Sequence, residues 1–158
     1  MKAGLTIIEI IVVIVIMIIA LTTALPLYNR LQIAARLSDE TSLLIQTLRL
    51  ARERSLTNCN NNSHGLYFEV NPGGIDRYIL YQGATYATRD SNYDRIAILS
   101  KGLHFSFTDI VLINGDDVDL HFAAGTGQVN DPGTIRLSHN SGQTSSLVIN
   151  SLGSVEKN

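Results

Sequence analysis

The chain has 158 residues, 45% hydrophobic and 16% charged, with a formal net charge of −2. That balance sets up no basic field to draw in nucleic acid. Cys59 is the only cysteine, which excludes an intramolecular disulfide and reads as a buried or inert thiol.

The chain begins with a short basic leader, Met1-Lys2-Ala3-Gly4, followed by Leu5-Thr6-Ile7-Ile8-Glu9. From Ile10 no charge appears until Arg30. As a helix, Ile10 to Asn29 would span ~30 Å, about a bilayer core. Glu9 stands at its entrance, where a carboxylate in hydrocarbon would cost roughly 2.5–3.5 kcal/mol unless it has a partner. A cleaved secretory signal is one reading, but its apolar region should be only ~7–15 residues long. Thr22-Thr23-Ala24 is also a poor cleavage site. A plain single-pass anchor accounts for the length and leaves Glu9 unexplained. Charge does not fix an orientation, because Lys2 is matched by Arg30 and Arg36 at the other end.

The helix is expected to continue past Pro26, with a kink where proline removes a hydrogen bond and crowds the preceding turn. Leu37, Leu44, Leu48 and Ala51 then recur on one face of an amphipathic helix. Asn58-Cys59-Asn60-Asn61-Asn62-Ser63 should end it near Leu56. The predicted divisions are a leader over 1–4, an apolar helix over 5–29, its amphipathic half over 30–57 and a β-rich domain over 58–158. The last of these has about 100 residues, enough for one modest core.

Period-two alternation predicts half-buried antiparallel strands at Leu66–Val70, Leu103–Phe107, Val118–Phe122 and Thr134–Ser138. Tyr78–Tyr81 and Ile96–Leu99 are apolar on both sides, so a central place in a sheet is expected of both. Asn71-Pro72-Gly73-Gly74, Asn114-Gly115 and Asn140-Ser141-Gly142 supply turns. Ser146–Ile149 and Val155 form a closing hairpin around Gly153. The class expected is α+β, with a long N-terminal helix, half membrane-spanning and half amphipathic, packed on a C-terminal antiparallel β-sheet domain.

Few residues suggest chemistry. Arg49, Arg52 and Arg54 form the one basic cluster; Arg49 and Arg52 share a helix face and are the weak nucleic-acid candidates. No aromatic side chains interleave with them to stack on bases. Asp90, Asn92 and Asp94 have the alternating oxygens that begin a calcium loop, but Arg95 and Lys101 stand where glycine and glutamate are needed. Asp116, Asp117 and Asp119 could gather a hard cation, although a turn at Asn114-Gly115 is the simpler account. The histidines are scattered, and neither HExxH nor G-x-S-x-G occurs. No metal, cofactor or catalysis is expected.

Gly4-Leu5-Thr6-Ile7-Ile8-Glu9-Ile10-Ile11-Val12-Val13-Ile14 resembles the prepilin signature of type IV pilins and type II secretion pseudopilins. The resemblance implies cleavage between Gly4 and Leu5 by a prepilin peptidase, and methylation of the new Leu5 amine. It places Glu9 where the family keeps an assembly glutamate, and Pro26 where the family has a kinking proline. Leu5 departs mildly, since phenylalanine is commoner there. Leu48–Ser55 and the tail Thr134–Leu137 with Val148–Val155 are similar, on shorter motifs, to the GspH/FimT class of minor pseudopilins. Some members of that class bind DNA through arginines near the C-terminal glycine, where this chain has Ser154-Val155-Glu156-Lys157.

The expectation is a structural filament subunit with a pilin-like fold. Its implied partners are other pilin or pseudopilin subunits, the peptidase, an inner-membrane assembly platform and membrane lipid before assembly. It would sit single-pass in the inner or cytoplasmic membrane, its domain outside the cytoplasm, and then in an extracellular or periplasmic filament. The alternative is a DNA-capture or adhesive minor subunit on the same stalk.

Overall fold

The computed structural model describes residues 6–158, apart from the side chains of residues 23–27. The chain divides into two units, Met1–Ala35 and Arg36–Asn158. Helix α1 is Ile7–Leu56, and the division falls within it. Position 26 belongs to α1, but the Pro26 side chain, and with it the expected kink, lies outside the described residues.

The first unit carries the N-terminal part of α1. Apolar side chains from Ile7 to Leu21 are exposed on every face of it. The expected membrane-spanning half needs correction: among the described residues no helix is long and apolar enough to cross a membrane. The single-pass membrane placement expected from the sequence falls with it.

The second unit begins with the amphipathic part of α1. Leu37, Leu44, Leu48 and Ala51 are buried, whereas Leu43 between them is exposed. Burying each leucine contributes about 1.5–3 kcal/mol. Glu40 Oε1 fastens the helix by accepting from Ser100 N–H at 3.1 Å and Ser100 Oγ–H at 2.5 Å. The helix ends at Leu56, and Asn58 follows in the left-handed conformation that asparagine tolerates (φ 50°). Ser55 is buried in that last turn and its hydroxyl accepts the His64 N–H at 2.9 Å, tying helix to strand.

Eight antiparallel strands dominate the rest. They are β1 (His64–Glu69), β2 (Arg77–Gln82), β3 (Arg95–Ile98), β4 (Leu103–Thr108), β5 (Val118–Phe122), β6 (Gly133–His139), β7 (Thr144–Ile149) and β8 (Val155–Lys157). They form two four-stranded sheets, ordered β3-β2-β1-β5 and β4-β6-β7-β8. Leu66 opposes Leu80 on one side and Leu120 on the other, so the inward rows meet in register. In the second sheet Phe105 opposes Leu137, and Ile135 opposes Leu147. One core joins helix and sheets. Phe68 of the first sheet packs edge-on against Phe105 of the second, with ring centroids 5.1 Å apart at 83°.

A buried carboxylate also links the sheets. Asp76, 0% exposed and just before β2, accepts Asn71 N–H at 3.0 Å and Phe105 N–H, from β4, at 2.8 Å. Two backbone donors thus meet its oxygens, and the His104 ring stands 3.7 Å away.

Tyr78–Tyr81 lies in β2, inside its sheet, but the central place expected for Ile96–Leu99 is corrected. Strand β3 is an edge, and Ile98 is 65% exposed. Apolar residues on both faces there reflect an uncovered edge and not a buried strand.

Candidate functional site

The N-terminal part of α1 starts at a polar cap. Thr6 precedes the first helical residue, and its hydroxyl accepts the Glu9 N–H at 3.4 Å. Thr6-Ile7-Ile8-Glu9 is therefore an S/T-x-x-E capping pattern, with an acid in the first turn where the helix dipole favours one. The sequence reading passed over this signal, which gives Glu9 a local role beside any role between subunits. Beyond Glu9, exposure is high all round: Ile16 is 61% and Ile19 59% exposed. Such a rod has no wet face and needs partners to cover it. Gly4 and Leu5, the residues of the implied cleavage, lie outside the described residues.

Arg49 and Arg52, the weak nucleic-acid candidates, hold the C-terminal hairpin instead. Arg52 Nε donates to the Leu152 carbonyl at 3.0 Å, and an Arg49 guanidinium nitrogen donates to the Val155 carbonyl at 3.4 Å. Together with Glu53, Leu56 and Ser154 they line a cleft of about 460 Å³. Gly153 closes the hairpin at φ +74°, and a Cβ there would collide with the Gly127 carbonyl. Guanidiniums committed to main-chain carbonyls of their own chain have fewer donors left for phosphates.

The structure does not gather Asp90, Asn92 and Asp94 around an ion. Asp90 Oδ1 accepts the Asn92 backbone N–H at 3.0 Å and the Asn92 side-chain amide at 2.9 Å, capping the short turn Ser91–Tyr93. Asp94 Oδ2 accepts from Arg89 Nε at 2.8 Å. Among the described residues no group of three or more His, Cys, Asp or Glu side chains is placed to hold a metal.

Asp117 and Asp119 serve a second, aromatic core that the sequence reading missed. Tyr67, Ile79 and Tyr81 are buried on the outer face of the first sheet, with Tyr86 packed over them. Tyr67 and Tyr86 stack with centroids 3.8 Å apart, and the Arg89 guanidinium lies 3.7 Å above the Tyr86 ring. Asp117 accepts the Tyr67 hydroxyl at 2.7 Å and the Val70 N–H at 2.9 Å. Asp119 accepts the Tyr81 hydroxyl and, at 2.9 Å, the Tyr86 N–H. Burial, then Asp117, pushes the Tyr67 phenol up to about 12. Burial and Asp119 push the Tyr81 phenol up as well. Both phenols therefore stay protonated as donors. The available signal was the alternation of Asp117 and Asp119 with Val118 and Leu120, which sets both acids on the face opposite the main core.

Compared with known protein families, with curated proteins and with solved structures, the chain matches none.

Proposed function

We propose that the chain is a structural subunit, a pilin or minor pseudopilin, of a type IV pilus-like or type II secretion filament, assembled through the N-terminal part of α1. The observation that carries this reading is the exposed rod from Ile7 to Leu21, apolar on all faces, with Glu9 as its one carboxylate. Parallel copies of such a rod would bury one another's apolar surface at roughly 25 cal/mol per Å². Within that bundle Glu9 would be costly alone, and the free Leu5 amine of an incoming copy would relieve the cost while fixing the axial register. The leader signature from Gly4 to Glu9 supports the same reading. Partners are further subunits and the processing peptidase. The commitment of Arg49 and Arg52 to Leu152 and Val155 leaves the DNA-capture alternative without support.

The test is assembly in cells that make such filaments. Ile14→Asp should abolish recovery of the chain in sheared, sedimented filaments while the folded domain remains. Glu9→Ala should be trimmed normally, by mass, and incorporate poorly beside wild-type copies. A mature chain that begins elsewhere than Leu5, or Ile14→Asp subunits recovered in filaments at wild-type level, would refute the proposal.

A further inference from the structure

A cleft of about 330 Å³ opens in the second unit at the end of α1, between the first residue of β1, the last of β2 and the start of β3. Its wall includes Arg54, His64, Gln82, Asn92, Asp94 and Arg95. The one carboxylate in the wall, Asp94, is already neutralised by Arg89 at 2.8 Å. Among the described residues neither Arg54 nor Arg95 has an ion-pair partner. Two positive charges thus share one cleft in a chain of net charge −2. The nearby C-terminus of α1 offsets only about half a charge.

His64, 2% exposed, stands in the wall beside Gln82. Burial, then the charge on Arg54, lowers the His64 pKa, and contacts with the Asn62 backbone and the Gln82 side chain oppose that shift. The wall offers guanidiniums and amides, and Arg89 holds its one carboxylate.

We propose that this cleft, bounded by Arg54, His64 and Arg95, binds a small phosphate-bearing molecule. Guanidinium forks match the oxygens of a phosphoryl group, and a tetrahedral oxyanion can accept from several walls together. The cleft, about 330 Å³, has room for a phosphoryl group with a small polar body. The site is independent of filament assembly.

The test titrates the full chain, in non-ionic detergent to cover the N-terminal helix, with inorganic phosphate and separately with glucose 6-phosphate. Calorimetry measures affinity, and NMR follows the His64 ring. Saturable binding that shifts the His64 resonances is expected, and Arg54→Gln combined with Arg95→Gln should weaken it about tenfold or more. Arg136→Gln, exposed on β6, should leave it unchanged. Tighter binding of glucose 6-phosphate would identify a phosphorylated sugar as the occupant, and equal binding would identify free phosphate. Should the double variant not fold, Arg95→Gln alone, at an exposed position, must still show a drop. The proposal is overturned if neither probe saturates at millimolar concentration, or if a folded double variant binds like the wild type. It is also overturned if a single-stranded oligonucleotide binds where both small phosphates fail.

Discussion

Two stretches of α1 are both rich in aliphatic residues, and they behave oppositely. From Ile7 to Leu21 nearly every position is apolar and nearly every side chain is exposed. From Leu37 to Ala51 the apolar residues recur on one face, and that face is buried to the last atom at Leu44 and Leu48. Hydrophobic content therefore does not predict burial within the chain; periodicity does. A stripe tells a helix which side its own domain covers, whereas an uninterrupted coat designates no side and leaves the covering to other molecules.

The contrast can be broken or sharpened by mutation. The largest effect is expected at Leu48, 0% exposed. Leu48→Ala should cost about 2–5 kcal/mol through lost burial and a residual cavity, measured by denaturant unfolding of the second unit's signal. An intermediate effect is expected on the far face of the first sheet, where Asp119→Ala strands the Tyr81 hydroxyl and the Tyr86 N–H. That change should cost about 1–3 kcal/mol, while Tyr81→Phe together with Asp119→Ala should cost less than the sum of the single changes. The smallest effect belongs to the exposed rod: Ile16→Ala should stay within about 0.5 kcal/mol in the same unfolding assay. A loss at Ile16 as large as that at Leu48 would mean that the rod is covered by its own chain, and the contrast between the stretches would disappear.

The sequence made some of this visible for clear physical reasons. Strand positions such as Leu66 and Phe68, or Ile135 and Leu137, show because a half-buried strand must alternate, and the stop at Leu56 shows because asparagines follow it. What stayed hidden depends on pairing in space. Ile96 and Ile98 read as a central strand, since apolar residues cannot announce whether a neighbour lies alongside. Asp117 and Asp119 read as part of a turn, with a hard cation as the other reading, because nothing local reveals that Tyr67 and Tyr81 arrive from other strands to claim them. The length of charge-free sequence after Glu9 suggested a membrane crossing, which the described helix does not supply. For the candidate sites, composition separated acids from bases correctly but could not tell which arginines spend their donors internally. Arg49 and Arg52 do so, and Arg54, on another face of the helix, does not.

Asp76 carries a wider consequence. One carboxylate grips a loop of the first sheet with one oxygen and the backbone of β4 with the other. Neither layer can breathe alone without tearing away half of that grip and leaving a charge stranded in oil. The double layer is therefore built to open as a whole or to stay shut, so strain applied at one edge would be felt at the opposite one.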